Sequence, residues 1–480
     1  AIIPFKFVDH THADAVVMLS NTPNGERIFQ EIYGDTVLVL PYVMPGFILA
    51  KQIYGQLESI NWTKIEGIIL LNHGVFTFDD DAKKSYTKMI DLVSKAEDYF
   101  NQNYQLEKAV ENTNQNAIPL KKLAQIRKLV SQTRQTPVLT TLNSSSLAKQ
   151  FANNEAINRI SQQGTLTPDH VIRTKRSPII FDGLTDDSIQ NQIENYKKEY
   201  RNYFENYASE HHKILDLAPR WGIFAPHGTI HFGKNLKECQ IIEDISQHTM
   251  KSVLQAELVE KWQPLTSNNL FDLEYWELEQ AKLKKTKQNL PFEGKIVLVT
   301  GAASGIGKAC VTALRGQGAV VAALDINPKI EGLFGDKSIL EIQCDMTDYQ
   351  ALNESVDKIV RTFGGLDSVI SNAGIFSKSQ TIEQMDETIW QQSLNINLTT
   401  HQKLIQLTTP YLKEGIDANI VIVGSKNVAA PGAGASAYSV AKAGLNQLAR
   451  IASMELASFG IRVNTVHPNA VFDTAIWTEE

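Results

Sequence analysis

Six short apolar runs in the C-terminal part of the chain alternate with amphipathic stretches long enough to form helices. The runs have the length and the β-branched content of buried strands. They cover residues 296–300, 319–326, 339–344, 366–371, 419–424 and 462–467. Parallel strands need a long crossover between them, usually a helix. The alternation therefore predicts a doubly wound α/β fold, with a parallel sheet covered by helices on both faces.

The turn after the first predicted strand is rich in glycine: Thr300-Gly301-Ala302-Ala303-Ser304-Gly305-Ile306-Gly307. Glycines allow a tight turn and let a pyrophosphate approach the N-terminus of the next helix, whose free N–H groups favour an anion. A glycine-rich turn alone also fits an ordinary strand–helix connection. The strand–turn–helix context favours a dinucleotide site.

Asp325 ends the second predicted strand, at the distance where a carboxylate accepts hydrogen bonds from the adenosine ribose. The same charge repels a 2′-phosphate, so the sequence favours NAD over NADP. The alternative is a solvated acid at a strand end.

Ser425, Tyr438 and Lys442 form the candidate reactive group. Tyr438 and Lys442 are four residues apart in a predicted helix, so their side chains share one face. Tyrosine ordinarily ionises near pH 10, and a neighbouring ammonium group favours the phenolate that a general base requires. Ser425 ends the preceding strand, where its hydroxyl can hold a substrate oxygen. A YxxxK pair alone usually marks a solvated helix face, but the serine and the phosphate loop favour catalysis.

The TGxxxGIG turn, Asn372-Ala373-Gly374, Asn397, Ser425 and the YxxxK pair together resemble the short-chain dehydrogenase/reductase family. The resemblance implies that Tyr438 is the acid/base and that Lys442 supports it and binds the ribose. It implies that Ser425 donates to the substrate oxygen, Asn397 holds a relay water and Asp345 meets the adenine. The implied NAD contacts are Gly301, Ser304, Gly305, Ile306, Gly307, Asp325, Asp345, Met346, Asn372, Ala373, Gly374, Tyr438, Lys442 and Pro468.

Two features depart from that family's pattern. Pro468-Asn469 stands where the family commonly has Pro-Gly, and the sequence ends at Glu480, before the usual substrate loop, last strand and final helix. At the other end, Ala1 is followed almost at once by a candidate metal motif. We therefore expect a fragment of a longer enzyme with incomplete substrate closure.

His10 and His12 form a His-x-His near the start, and His73 follows a strand-like run in IILLNHGVFTF. Side chains two apart on a strand share one face, and three neutral imidazoles suit Zn²⁺ with open positions for substrate oxygens. An incidental His-x-His is the alternative.

HTHAD and LLNHGVFTF resemble the class II aldolase/adducin family. The resemblance implies metal ligation by His10, His12 and His73, and a Lewis-acid metal that stabilises an enediolate. The family's carboxylate and phosphate-binding residues would lie upstream.

Segments 67–96 and 221–250 resemble each other and align His227 with His73. A similar spacing aligns Asp169-His170 with Asp9-His10 and places Ile172 at the position of His12. We therefore predict a second, degenerate aldolase-like domain that binds metal poorly and has a structural role. Two unrelated strand–helix units are the alternative.

We interpret the basic helix 121–134 and the basic residues Arg173, Lys175 and Arg176 as surface charge. For these three residues, a contact with a phosphate is the alternative.

The composition of the chain restricts the kinds of molecule that it can bind. Hydrophobic residues make up 43% and charged residues 21% of the chain, as in globular proteins. The formal net charge of −7 argues against a nucleic-acid partner, and the longest apolar run is too short and too interrupted to cross a bilayer. Three widely spaced cysteines fit a reducing compartment. We expect a cytoplasmic enzyme of small molecules, without membrane or nucleic-acid partners, that forms a homo-oligomer as both families usually do.

The expected fold class is thus α/β in three parts. They are a truncated class II aldolase-like domain (1–105), a degenerate aldolase-like repeat (106–286) and a Rossmann dehydrogenase domain (287–480). With TPDHVIRTKR and LFDLEYWELEQAKL, this order resembles the bacterial bifunctional rhamnulose-1-phosphate aldolase/lactaldehyde dehydrogenase family. That resemblance implies retro-aldol cleavage of L-rhamnulose 1-phosphate and NAD-dependent oxidation of the L-lactaldehyde formed.

Three alternatives stay open at this point. The dehydrogenase could use another sugar alcohol or aldehyde, or reduce lactaldehyde to propanediol. The aldolase-like part could be a metal-free interaction module. The chain could also bind the cofactor without turnover.

Overall fold

The computed structural model describes residues 3–47, 49, 51, 54–55, 60–106, 118–284, 290–469 and 471. The chain divides into two compact units. The first unit draws on residues 1–116, 143–231 and 240–287, and the second on 117–142, 232–239 and 288–480. Within the described ranges, no helix has both the length and the apolar character needed to span a membrane.

The strands of the described residues form three sheets. They are β1 (Phe7–Thr11), β2 (Val37–Leu40), β3 (Gly67–Leu70), β4 (Gly74–Asp79), β5 (Leu139–Asn143), β6 (Ile179–Phe181), β7 (Trp221–Phe224), β8 (Gly228–Gly233), β9 (Ile296–Thr300), β10 (Val320–Asp325), β11 (Ile339–Gln343), β12 (Ser368–Ser371), β13 (Asn419–Val423) and β14 (Arg462–Val466).

The α-helices of the same residues are α1 (Asp14–Ser20), α2 (Gly25–Tyr33), α3 (Ala82–Asn103), α4 (Leu120–Arg134), α5 (Ser146–Ala152), α6 (Ile157–Ile160), α7 (Val171–Thr174), α8 (Asp186–Tyr207), α9 (Leu236–Val259), α10 (Ser267–Glu274), α11 (Glu277–Lys284), α12 (Gly305–Gly316), α13 (Tyr349–Phe363), α14 (Glu387–Leu394), α15 (Thr400–Leu412) and α16 (Ser436–Leu456). Short 3-10 turns cover Gly34–Thr36, Pro168–His170, Pro328–Ile330, Ile382–Gln384, Lys426–Val428 and Ala457–Phe459, and a π-helical turn covers Asn395–Thr399.

The second unit contains a six-stranded sheet in the order β11-β10-β9-β12-β13-β14, with every neighbouring pair parallel. Every predicted strand is present, so the doubly wound prediction is confirmed. Strand order reverses between β9 and β12, and in such sheets ligands bind beyond the carboxyl ends of the strands at that point. β9 is buried along its whole length because helices cover both faces.

Two four-stranded sheets, ordered β1-β4-β3-β2 and β5-β8-β7-β6, share one topology. In each, a parallel pair (β2/β3 or β6/β7) adjoins an antiparallel hairpin (β3/β4 or β7/β8), and a long helix follows (α3 or α9). This agrees with the internal repeat inferred from the sequence. The described residues of the first unit include a large apolar core, with the fully buried Val17, Phe29, Phe151, Ile223 and Trp262.

One part of the sequence alignment was wrong. By position in the sheet, the counterpart of β1 is β5, whereas Asp169-His170 lies in a 3-10 turn outside both sheets. The short Asp-His match and its spacing had no support from strand periodicity. Asp169 and His170 therefore do not correspond to Asp9 and His10.

The surface-charge interpretation was also wrong for basic residues that are buried, among them Lys175 and Arg127. Lys175 is 3% exposed, and its Nζ lies 2.7 Å from the Tyr200 hydroxyl and 3.4 Å from Glu274. Arg127, in α4, is fully buried against Asp367. In both cases a distant acid compensates the charge, and the local sequence gives no sign of that partner.

Candidate functional sites

The glycine-rich turn joins β9 to α12, and its close contacts require glycine. Gly301 has a φ of +65°, which residues with a side chain rarely adopt. A Cβ at Gly307 would lie 2.0 Å from the carbonyl oxygen of Gly301. Ser304 occupies the N-cap position of α12, and Gly305 and Ile306 lie in its first turn. The free N–H groups of this helix end can bind an anion.

The Asn372-Ala373-Gly374 turn follows β12 and holds this loop. Thr300 Oγ1 accepts hydrogen bonds from the backbone N–H groups of Asn372 (3.0 Å) and Ala373 (3.1 Å). Asn372 Nδ2 donates to the carbonyl oxygen of Thr300 at 2.9 Å. Hydrogen bonds thus join the turn to the candidate phosphate loop, and the sequence did not indicate that Thr300 makes this connection.

Asp325 ends β10 beside the loop. Its Oδ2 accepts from the N–H of Ala303 and its Oδ1 from the N–H of Asn327, both at 2.9 Å. Asp345 is exposed, its Oδ1 accepts from the N–H and hydroxyl of Thr347 at 2.8 Å, and the adjacent Met346 is buried. Both acids follow strands at the carboxyl edge of the sheet, where the fold binds dinucleotides.

Tyr438 lies in the first turn of α16, with Lys442 one turn later. Lys442 Nζ is 5.9 Å from the centre of the Tyr438 ring and donates to the carbonyl oxygen of Val423 at 3.2 Å. Lys442 is only 3% exposed, and burial lowers its pKa to about 8. Phe376 packs against the tyrosine, with ring centres 4.8 Å apart. The ammonium group is therefore close enough to stabilise a phenolate.

Ser425 follows β13 and is buried. Its Oγ accepts from the N–H of Asn427 at 3.2 Å, so its proton is free for another acceptor. His467 Nδ1 contacts the backbone N–H (3.2 Å) and carbonyl oxygen (3.0 Å) of Ser425, and the carbonyl oxygen of Pro468 accepts from Lys426 at 3.1 Å. The segment after β14 thus holds the serine, a contact that the sequence did not indicate.

Asn397 lies inside the π-helical turn between α14 and α15 and is fully buried. Such turns frequently occur at functional sites. Asn397 Oδ1 accepts from the N–H of Ile375 (3.1 Å) and its Nδ2 donates to the carbonyl oxygen of the same residue (3.0 Å). A Cβ at Gly374 would lie 2.8 Å from Asn397 Oδ1 and 3.4 Å from Lys442 Nζ. Asn397 and Lys442 therefore flank the same glycine.

His401 is a buried neighbour of this group that sequence reasoning missed. Its Nδ1 lies 2.6 Å from Ser371 Oγ, and its Nε2 has no hydrogen-bond partner among the described residues. Burial, followed by the charge of Lys442, lowers its pKa to about 3. It is thus a neutral polar group behind the Asn-Ala-Gly turn. A single histidine in an amphipathic helix gives no signal of such a position.

The structure brings His10, His12 and His73 together, with one ring nitrogen from each within 4.8 Å of the others. His10 lies in β1, His12 one residue beyond it, and His73 in the turn between β3 and β4. Gly74 makes this possible, because a Cβ there would lie 2.9 Å from the His12 ring and 3.1 Å from the His10 ring. Within the described ranges, this is the cluster of histidine, cysteine and acidic residues suited to a metal ion.

The proton arrangement of the cluster fits a divalent cation. His10 Nδ1 lies 3.0 Å from the carbonyl oxygen of Val75, so it carries the proton and leaves a lone pair on Nε2. That Nε2 faces His12 Nε2 at 3.1 Å. Two nitrogens bound at about 2.0–2.1 Å to one tetrahedral zinc ion lie about 3.3 Å apart. Burial, with the nearby His12 and His10, lowers the pKa of His73 to about 4, so its ring is neutral.

Asp169 contacts this cluster from the middle of the chain. Its Oδ1 lies 3.1 Å from His12 Nδ1 and accepts a 2.7 Å hydrogen bond from Thr167 Oγ1. Burial opposes ionisation, but the hydrogen bond from His12 and the neighbouring imidazoles keep the pKa of Asp169 below its ordinary value. His170 is close enough for its charge to interact with His12, and its buried Nδ1 has no partner among the described residues. His227, the counterpart of His73, is not part of the cluster.

Comparison with known proteins assigns families to these regions. Residues 3–100 match the Class II Aldolase and Adducin N-terminal domain, residues 117–283 match Aldolase class II, second domain, and residues 295–480 match short chain dehydrogenase. The chain is 29% identical to the uncharacterized oxidoreductase YuxG of Bacillus subtilis over 99% of this chain and 72% of that protein.

Two further relatives match the C-terminal region. The 3-oxoacyl-[acyl-carrier-protein] reductase FabG of Thermotoga maritima is 34% identical over 37% of this chain and 75% of that protein. The 2,3-dihydro-2,3-dihydroxybenzoate dehydrogenase of Bacillus subtilis is 29% identical over 39% of this chain and 75% of that protein. The chain therefore belongs to the short-chain dehydrogenase family through its C-terminal region, which follows two domains of the class II aldolase type.

Proposed function

We propose that this chain is a bifunctional sugar-catabolic enzyme. Its aldolase part cleaves L-rhamnulose 1-phosphate to dihydroxyacetone phosphate and L-lactaldehyde, and its dehydrogenase part oxidises the aldehyde to lactate with NAD⁺. The observation that carries the proposal is the presence, in one chain, of a three-imidazole cluster and of a Tyr438–Lys442 pair whose lysine contacts the end of β13, just before Ser425. The first suits chelation of adjacent sugar oxygens and the second suits hydride transfer.

In the dehydrogenase part, the hydrated aldehyde is the hydride donor. Ser425 donates its hydroxyl proton to one substrate oxygen, and Tyr438 accepts the proton of the reacting hydroxyl while Lys442 stabilises the phenolate. NAD⁺, when bound, would supply the hydride acceptor, and the overall reaction of aldehyde hydrate with NAD⁺ would give carboxylic acid, NADH and a proton. The Asp325 carboxylate binds the adenosine ribose and disfavours a 2′-phosphate.

In the aldolase part, His10, His12 and His73 would hold a divalent metal, which we propose is Zn²⁺. When bound, the metal supplies Lewis-acid stabilisation of the negative charge that develops on the sugar oxygens. His10 and His12 turn their Nε2 lone pairs inward because their Nδ1 protons are engaged elsewhere.

The free state of the cysteines fits a reducing compartment. Cys239, Cys310 and Cys344 are all free, and Cys239 and Cys344 are buried. Such thiols are usual where disulfides do not form, and we place the protein in the cytoplasm.

The test follows NADH formation with three reactant pairs: L-rhamnulose 1-phosphate with NAD⁺, L-lactaldehyde with NAD⁺, and L-lactaldehyde with NADP⁺. We expect both NAD⁺ reactions to form NADH without a coupling enzyme. His10→Ala should abolish the reaction from the sugar phosphate and spare the reaction from lactaldehyde, whereas Tyr438→Phe should abolish both. NADH from neither substrate, despite tight NADH binding, would contradict the proposed substrates and leave the fold and family assignment intact.

A further inference from the structure

Asp169 contacts the three-histidine cluster, and the internal repeat does not account for this contact. Asp169 lies in the segment that matches the second class II aldolase domain, whereas the three histidines belong to the first. Asp169 and the three histidines all lie in the first compact unit. The contact joins residues far apart in sequence, with 3.1 Å between Asp169 Oδ1 and His12 Nδ1. Thr167, which precedes the 3-10 turn, donates a 2.7 Å hydrogen bond to the same carboxylate oxygen.

This contact decides which nitrogen of His12 can bind a metal. A neutral imidazole has one N–H and one lone pair. A carboxylate accepts hydrogen bonds and cannot donate them when ionised, so His12 carries its proton on Nδ1 and its lone pair on Nε2. That is the nitrogen that faces His10. A metal-binding histidine usually donates its second ring N–H to a carboxylate or a carbonyl, which fixes the tautomer and the ring orientation.

His10 and His12 obtain this support from different sources. The backbone carbonyl of Val75, on the neighbouring strand β4, orients His10. His12 lies beyond the end of β1, and its side chain is 27% exposed. In the described residues the β1–β4 pairing ends at Thr11, so the contact with His12 Nδ1 comes from a side chain outside the sheet, that of Asp169.

We infer that Asp169 is a positioning residue of the metal site, through which the second aldolase-type domain completes the site of the first. The inference rests on the metal part of the proposed function and not on the identity of the sugar phosphate. The middle domain then has a role in metal binding, although its own repeat lacks the three-histidine cluster.

The test titrates the metal-free full chain with Co²⁺ alone and records the visible absorption bands of the bound ion. Asp169→Ala should weaken Co²⁺ binding about 10- to 100-fold and change the band positions, because the His12 ring is no longer held. Asp169→Asn, which keeps a neutral acceptor, should have an intermediate effect. Asp187→Asn, an exposed acid at the start of α8, is the matched control and should change neither readout.

The outcomes separate the inference from the proposed reaction. Unchanged Co²⁺ affinity and spectra in both Asp169 variants would overturn the inference. If circular dichroism shows that Asp169→Ala misfolds, Asp169→Asn decides alone, and unchanged Co²⁺ affinity in that variant would overturn the inference. Failure of the unmodified chain to bind Co²⁺ would refute the metal site and this inference together. Weakened binding in the variants would support the inference even if L-rhamnulose 1-phosphate is not cleaved.

Discussion

The guanidinium of Arg127 and the carboxylate of Asp367 form a bidentate ion pair, with N···O distances of 2.9 and 2.6 Å, and neither side chain reaches solvent. Backbone groups engage the remaining polar atoms: the carbonyl oxygens of Val138 and Gly294 and the N–H groups of Ile296 and Ile416. The pair thus joins α4 to the start of the parallel sheet within the second unit. It is stable only as a complete set, because either charge alone would be buried without compensation.

Arg127→Met should lower the free energy of unfolding of the second unit by about 3–5 kcal/mol, because it leaves Asp367 buried and unpaired. Chemical denaturation followed by circular dichroism measures this. Lys128→Met, one residue along the same helix, is the control. Its partner Glu414 lies 3.4 Å away and both side chains are partly exposed, so its loss should cost less than about 1 kcal/mol. Equal effects from the two variants would argue against a special role for the buried pair.

Lys442 should make stability depend on pH. Its pKa is about 8 in the folded chain because it is buried, whereas an unfolded lysine titrates near 10.4. Between these values the unfolded state binds more protons, so stability rises with pH through this window and is lowest below it. Lys442→Met removes this dependence. We compare the free energy of unfolding of Lys442→Met with that of the unmodified chain. The variant's value minus the unmodified chain's value should be roughly 2 kcal/mol larger at about pH 7.5 than at about pH 9.5.

Denaturation of both chains at the two pH values tests this prediction, because the other titrating groups cancel in the difference. A difference that does not change with pH would mean that the folded chain does not depress the lysine's pKa.

The parallel sheet was predictable because its strands are buried on both faces and read as continuous apolar runs. The observed β9, at Ile296–Thr300, coincides with the predicted run, and β10 and β12 are shorter by one or two residues at their ends. The geometry of the candidate sites depended on motifs of fixed local spacing. Tyr438 and Lys442 share a helix face for this reason, and His10 and His12 share one side of a strand end.

The missed features are contacts between residues far apart in the chain. Asp169 reaches His12 and Arg127 reaches Asp367, and neither approach leaves a periodic trace in the sequence. The Asp-His dipeptide at residues 169–170 was misaligned with Asp9-His10 because two matching letters carry no strand pattern. His401 was missed for a related reason, since burial of a lone polar side chain becomes visible only once the helices are packed.

The internal repeat supplies a matched pair of histidines for testing the metal site. His73 and His227 occupy equivalent turns, after β3 and after β7, but only His73 has two further imidazoles beside it. His73→Ala should therefore reduce Zn²⁺ affinity at least about 100-fold, since a site with two imidazoles binds zinc poorly. His227→Ala should leave it unchanged. Zinc content after dialysis against a fixed free-zinc concentration checks both variants, and equal retention by the two would exclude His73 as a ligand.

Asp325 should determine the choice between NAD and NADP. Its carboxylate sits beside the glycine-rich loop, where a 2′-phosphate would meet its negative charge. Asp325→Ser removes that charge but leaves a hydroxyl that can still accept a hydrogen bond. We expect the ratio of the NADPH to the NADH dissociation constant to fall by at least about tenfold, which corresponds to about 1.4 kcal/mol of relative binding free energy.

Fluorescence titration with each dinucleotide measures this ratio directly and does not depend on the substrate. Asp336→Asn is a suitable control, because Asp336 lies in the same unit and its carboxylate pairs with Arg315. A lower affinity of Asp325→Ser for both dinucleotides, with an unchanged ratio, would mean that the carboxylate acts mainly by holding the N–H groups of Ala303 and Asn327. Selection against the 2′-phosphate would then have to come from another part of the site.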